Sequence, residues 1–362
     1  MSERITQGVP FYCSKEIIKK FNGEDVTECD YISEDLYKKV SNEFGVPKEN
    51  DLLITTRGTI GIPYLYKRTD RFYFADGNLT WIKDFDSNLY SKFLYYWFQS
   101  YEGRKKFEAL AKGTAQKAVP ISGIKTLEIE LPSLKSQKRI ADILSAYDDL
   151  IENNQKQIKL LEEAAQRLYK EWFVDLRFPG HENTKIVDGV PEGWSRTNIN
   201  EILTFHRGYD LTKNEMKAGR YPVVGSTTVI GYHNEFKIKG PGIVTGRSGS
   251  LGKYQFIWDN FWPHNTSLYI SDYKDHNIFF VYSLLQTVDF ASLNNGGAIP
   301  TLNRNVLSNI EVIEPTDELQ EMFAKIAEAQ YRKIRNLEKQ NNQLKMARDV
   351  LLPKLMSGEV EV

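Results

Sequence analysis

A chain of 362 residues exceeds the usual size of one hydrophobic core, so two or more domains are expected. It is 41% hydrophobic and 26% charged, a globular composition; no apolar run nears the roughly 18 residues that span a bilayer, and "MSERITQGVPFYCSKEI" has no apolar signal core, so a cytoplasmic protein is expected. The net charge of -1 excludes a bulk basic surface: residues 1–133 hold 19 basic and 19 acidic side chains and residues 181–312 hold 12 and 12, so any DNA binding must use local basic patches.

In chain order, "DLLITT" (51–56) and "RFYFA" (71–75) are predicted strands, with the glycine loop "TTRGTIG" (55–61) after the first. A helix is predicted over 88–111, then the loop "KGTAQKAV" (112–119). After Pro132 a long charged helix is predicted, followed by the turn-rich linker "FPGHENTKIVDG" and the entry "VPEGW" (190–194). "PGIVTG", "KYQFIW" and "SLYI" are the next predicted strands, with the loop "TGRSGSLG" (245–252) among them. A helix is predicted over 275–290, then the turn "NNGGAIPTLNR", then Pro315 and a second long helix that Pro353 should end or kink. Cys13 and Cys29 make no metal spacing, and a reduced pair is expected.

The chain reads as two repeats. Both glycine loops carry a Thr, an Arg two residues on, and an apolar-Gly step, Ile60-Gly61 and Leu251-Gly252. "GNLTWI" answers to "HNTSLYI", aligning Asn78 with Asn265, and "KFLYYWF" answers to "FFVYSLL". Pro120 aligns with Pro300 and Gln137 with Gln320. This is duplication of a whole domain plus the helix after it, because the period is too long for a solenoid. One departure stands out: the first half starts almost at "GVPFY" (8–12), with no entry segment like "PEGW…ILTFHRG" before it. Either the chain is shortened there or its first domain is built differently.

The long helices carry matching seams. Ile140, Leu144, Tyr147, Ile151, Asn154, Ile158, Leu161, Ala165, Leu168 and Trp172 follow alternating steps of four and three. The same positions 183 residues later are Phe323, Ala327, Gln330, Ile334, Leu337, Asn341, Leu344, Arg348, Leu351 and Leu355, a weaker seam. A helix packed only on its own domain is the alternative; antiparallel pairing of the two is the preferred reading. End-to-end pairing sets Asn154 opposite Asn341, where each amide can satisfy the other and penalise slipped registers. The carboxylates of Asp148 and Asp149 read as a solvated face.

Catalytic signals are missing. There is no phosphate-binding G-x-x-x-x-G-K-[ST], no G-x-G-x-x-G opening a βαβ unit, no Asn-Pro-Pro-Tyr segment to pocket a flipped base, and no nuclease or triad arrangement. The pattern points to a binding and scaffolding protein.

"LPSLKSQKRIADILSAYDDLIENNQKQIKLLEEAAQRLYKEWFVDLRFPG" (131–180), "VPEGW" and the ending "RDVLLPKLMSGEVEV" together resemble the specificity subunit of a type I restriction–modification system. The resemblance implies an α+β fold: two similar β-rich target-recognition domains separated by a long antiparallel two-helix coiled coil, with a pseudo-twofold internal repeat. Expected boundaries are residues 1–133 for the first domain, 134–180 for the central helix and linker, 181–313 for the second domain and 314–362 for the C-terminal helix. It implies that the chain is not an enzyme. Its expected partners are double-stranded DNA with a bipartite site, two methyltransferase subunits and restriction (translocase/nuclease) subunits, with no membrane. S-adenosylmethionine, ATP and Mg are expected only in those partners, and no cofactor in this chain. The helices would act as a ruler setting an unread spacer between half-sites. The alternative is a coiled-coil protein-binding adaptor that does not read DNA.

Candidate DNA contacts are Arg57 and Thr59 in the first loop and Arg247, Ser248 and Ser250 in the second. A guanidinium can bond guanine bidentately or hold a phosphate. Lys112, Gln116 and Lys117 form a second patch, and Arg304, with Asn294 and Asn295, is its counterpart. Lys67 and Arg68 read as phosphate contacts or a solvated hairpin tip, and Asn78 and Asn265 as braces of the fold. Asn154 and Asn341 are the helix-register residues.

Overall fold

The structure is a computed structural model, and it describes residues 4–74, 77–113, 117–247, 252–288 and 310–362. The candidates Gln116, Ser248, Ser250 and Arg304, and with them Asn294, Asn295 and Pro300, lie outside the described residues. The chain divides into two compact units, one of residues 1–156 and 337–362 and one of residues 157–336. Each unit therefore takes in part of both long helices, rather than ending where a helix begins.

The first unit runs β1 (Val9–Tyr12), α1 (Ser14–Asn22), β2 (Asp30–Ile32), α2 (Glu34–Phe44), β3 (Leu52–Thr55), β4 (Pro63–Leu65), β5 (Tyr73–Phe74) and β6 (Leu79–Ile82). Then come α3 (Ser91–Gln99), α4 (Tyr101–Ala109), α5 (Ile121–Ile124) and the start of α6 (Leu134–Tyr169). Its strands form two sheets, β2-β1-β5 and β4-β3-β6. The unbroken apolar run of β3 is explained by burial on both faces: Leu52 and Ile54 pack with α3 and with Ile140, Leu144, Leu352 and Leu355 of the long helices, while Leu53 packs with Tyr12 and Phe72. The helix expected over 88–111 is two helices. Ser100 ends α3 and caps α4, its Oγ accepting the Gly103 N–H at 3.0 Å. Gly103 is required there, since a Cβ would sit 1.9 Å from the Trp97 carbonyl oxygen.

The second unit opens with β7 (Ile186–Val187) and β8 (Val190–Pro191), followed by β9 (Ser195–Asn198), α7 (Ile199–Ile202), β10 (Thr204–Arg207), β11 (Tyr221–Val224) and β12 (Val229–His233). It continues with β13 (Gly242–Gly246), β14 (Tyr254–Ile257), β15 (Trp262–Pro263), β16 (Ser267–Asp272), α8 (Ile278–Thr287) and β17 (Glu311–Glu314). The sheets β12-β11-β15 and β10-β16-β13-β14 correspond to the two sheets of the first unit. In both, the first strand pairs in parallel with a short later one, Phe11 with Tyr73 and Val223 with Trp262. The units differ where the entry segment was missing. β9 pairs with β17 and β10 adds a strand beside β16, and the described residues of the first unit have no counterpart of either. Between its first strand and β3 the first unit instead carries α1 and α2.

The long helices begin alike. Gln137 and Gln320 are buried and donate to the carbonyls of Pro132 and Pro315, at 2.9 and 2.8 Å, tying each helix start to the segment before it. The second long helix, α9 (Asp317–Met356), passes through Pro353. Pro353, expected to end or kink the helix, lies in its last turn: three further residues stay helical, so the missing N–H removes a single ladder bond near the end. Asp148 corrects another expectation. It is not on a solvated face: its carboxylate accepts the Tyr96 hydroxyl at 2.7 Å and pairs with Arg348. Within the first unit, then, the helices run antiparallel, with Asp148 facing Arg348 and Asn154 facing Asn341. Within the second unit Trp172 meets Phe323 with ring centroids 6.2 Å apart, in the same sense.

Candidate nucleic-acid interface

Each unit's glycine loop leaves the end of its central strand. Gly61 and Gly252 both have left-handed backbone, φ 80° and 79°, which lets each loop turn back into the returning strand. The strand ladders fix the correspondence. Leu53 faces the inter-sheet core beside Tyr12, and Val244 faces it beside Val224. Counting on from this match aligns Gly61 with Gly252 but sets Arg57 against Ser248 and Arg247 against Thr56. The expected equivalence of Arg57 and Arg247 is therefore off by one residue, and one residue in a strand changes the face.

The backbone confirms the shift. The Asn78 carbonyl accepts the Thr56 N–H at 2.9 Å and the Ser14 hydroxyl at 3.2 Å. The Thr266 carbonyl accepts the Arg247 N–H at 3.2 Å and the Ser226 hydroxyl at 2.8 Å. Asn78 thus stands where Thr266 does, not where Asn265 does; Asn265 instead donates its side-chain amide to Asp210. Ser14 and Ser226 are repeat residues that the sequence reading missed. The signal was present in "VPFYCS" and "YPVVGS", but the 37-residue and 15-residue stretches that separate them from β3 and β13, with α1 and α2 in one and β12 in the other, hide it from a fixed offset.

In the first unit the two candidate patches come together. The Gly58 N–H donates to the Lys117 carbonyl at 3.2 Å, Arg57 bridges Ala118, and Ala118 and Lys112 exchange backbone bonds of 3.0 and 2.8 Å. Arg57, Thr59, Lys112 and Lys117 are all exposed on one rim. Among the described residues, none of their side chains has a hydrogen-bond or ion-pair partner. Lys67 is different. Its ammonium pairs with Glu152 on α6 at 2.5 Å, so it braces the sheet on the helix. Glu152 also takes Lys156, and these two hydrogen bonds, Lys156 first, hold its carboxyl below the ordinary range.

In the second unit Arg247 is half-buried at the matching end of the sheet. One row across that sheet reads Arg207, Leu268, Thr245, Tyr254, and the next position beyond Tyr254 is Lys253, whose carbonyl accepts the Thr245 hydroxyl at 2.9 Å. Arg207 and Lys253 are exposed and, like Arg247, lack an ion-pair partner among the described residues. Both were missed because single basic residues in a neutral domain carry no sequence signal. The nearby Asp210 carboxylate is occupied by Asn265. Each unit is close to neutral as a whole yet gathers at one end cations that have no ion-pair partner among the described residues.

The helix-register residues are also placed. Asn154 Nδ2 donates to Asn341 Oδ1 at 2.9 Å, with the two residues 8% and 7% exposed. The described residues hold no cluster of His, Cys, Asp and Glu fit for a metal ion, and no helix among them is long and apolar enough to cross a membrane.

A family model for the type I restriction modification DNA specificity domain matches this chain twice, over residues 9–163 and 191–346. The specificity subunit of the type I restriction enzyme MjaIX of Methanocaldococcus jannaschii is 28% identical over 302 residues, covering 75% of this chain and 69% of that protein. A putative type I specificity subunit of Mycoplasma genitalium is 26% identical over 333 residues, covering 86% of this chain and 82% of that protein. Among solved structures, the crystal structure of a type I restriction–modification S subunit from M. genitalium superposes with a TM-score of 0.60 at 21% identity, covering 98% of this chain and 91% of that one.

Proposed function

The chain belongs to the type I restriction–modification DNA specificity family, and from that premise we propose that each of its units reads one half of a bipartite double-stranded DNA site. The observation that carries this reading is the recurrence, at the same strand end of both units, of a glycine loop held by one carbonyl and rimmed by cations without ion-pair partners among the described residues. Exposed Arg57, Lys112 and Lys117 in one unit, and exposed Arg207 and Lys253 with half-buried Arg247 in the other, supply the local positive charge that the neutral composition withholds. Because Arg57 and Arg247 sit one residue apart in their loops, the two halves are read by different geometries, as two unlike half-sites require.

The rest of the complex supplies the chemistry. Methyltransferase and restriction subunits, with their S-adenosylmethionine, ATP and Mg, act on DNA that this chain selects, and the purified chain alone transfers no methyl groups. The lengths of α6 and α9 set the spacer, so removing one heptad from each changes spacer length and leaves the half-site sequences as they were.

The test is DNA binding by the full chain with its methyltransferase subunits across a salt series. Affinity should fall steeply with salt, and the slope should flatten by roughly one for each phosphate-contacting lysine or arginine removed. Binding that ignores both salt and these substitutions would support the protein-binding adaptor instead.

A further inference from the structure

We infer that the polar contacts between α6 and α9 in the first unit select the helix partner, favouring closure of one chain on itself over exchange of helices with a second copy. This goes beyond DNA reading and does not depend on it. The 183-residue offset that relates Gln137 to Gln320 gives both helices the same apolar spacing, so the apolar seam alone would let either helix pair with a copy of itself.

The polar positions do not permit this. If the α6 of a second copy took the place of α9, each α9 residue would be replaced by the one 183 positions earlier. Asn154, now bonded to Asn341 at 2.9 Å, would meet Ile158. Asp148, now bonded to Tyr96 and paired with Arg348, would meet Ala165. If α9 paired with a second α9, Asn341 would meet Leu337 and Arg348 would meet Tyr331. Each exchange leaves an amide without its partner and takes the cross-helix partner from a charge, Asp148 keeping only the Tyr96 hydroxyl and Arg348 only its neighbour Asp349, and the twofold symmetry of such a pair repeats each loss. These groups are largely withdrawn from water, with the Arg348 and Asp148 side chains 22% and 27% exposed. A group left in that state keeps its desolvation cost without its partner.

The second unit has no such contact at the matching places. Tyr331 stands where Asp148 does and bonds Gln286 at 3.4 Å, and Ala165 stands where Arg348 does. The selection therefore rests on two contacts of the first unit, Asn154–Asn341 and Asp148–Arg348.

Two differently tagged copies of the full chain, co-expressed and purified through one tag, report exchange directly. The wild-type chain should carry the second tag only at background. The variant Asn154→Leu, Asn341→Leu, Asp148→Ala, Arg348→Ala should carry it at a level at least about ten-fold higher, since the removal of a single mismatch already takes away a factor of that order. Asp148→Arg alone should also raise it, and adding Arg348→Asp should return it to background. Equal recovery of the second tag from wild type and a helical four-residue variant overturns the inference. So does a charge-reversed chain that fails to return to background, and this arm holds even if the four-residue variant does not fold.

Discussion

At the residue scale, the two glycine loops show what a single position can decide. Gly61 was legible as a turn glycine, and its φ of 80° makes the requirement specific. A Cβ there would also press on the Phe107 ring at 3.3 Å. Gly61→Ala is expected to cost about 1–2 kcal/mol in urea unfolding, the usual cost of left-handed backbone at a residue with a side chain. The arginines were legible as candidates but their equivalence was not, because a loop motif carries no strand face. Tyr12 and Tyr66 give a second residue-scale expectation. Burial pushes both hydroxyls up to about 12, from an ordinary value near 10. The folded state thus favours the protonated phenol more than the unfolded state does. Their contribution is fully present below the unfolded value and is lost as pH rises through the folded one. Melting temperature followed from pH 9 to 12 should fall across that window, and Tyr12→Phe should make the fall shallower; an unchanged profile contradicts the assignment.

At the element scale, the long helices were the most legible part, since ten seam positions at alternating steps leave little freedom of register. The facing asparagines followed from that spacing with the seams paired antiparallel and end to end. What the spacing could not show was Arg348. On the seam it reads as a weak point, but Asp148, itself held by the Tyr96 hydroxyl, reaches it from the other long helix, and a pattern of apolar positions does not see a polar contact between residues 200 apart in sequence. The break at Ser100 was hidden for a related reason: the apolar pattern of 88–111 continues through it, while the cap and the close approach at Gly103 are tertiary facts. The asparagine pair makes a sharp expectation. Asn154→Leu alone leaves Asn341 buried without its partner and should destabilise by about 1–3 kcal/mol. Adding Asn341→Leu should recover that deficit or exceed it, because leucine at both positions completes the seam. Thermal unfolding of the single and double variants measures it, and a double variant less stable than the single would contradict the account.

At the scale of the whole molecule, duplication was legible from scattered matches, and so was the asymmetry at the first unit's entry. The three-stranded sheet around β3 and the four-stranded sheet around β13 give that asymmetry a structural form. The basic rims were not legible in net charge, because neutrality is a sum and binding depends on where the charges sit. Each unit is proposed to specify its own half of one DNA site. Base-resolution mapping of methylated sites in cells carrying this chain and its partner subunits tests it most directly, with the wild type compared against Arg57→Ala and Arg247→Ala. A bipartite motif with an unread spacer is expected, relaxed in one half by Arg57→Ala and in the other half by Arg247→Ala, at roughly 1–3 kcal/mol of base discrimination for each arginine removed. A motif in which both substitutions relax the same half, or in which neither changes any base, would contradict it.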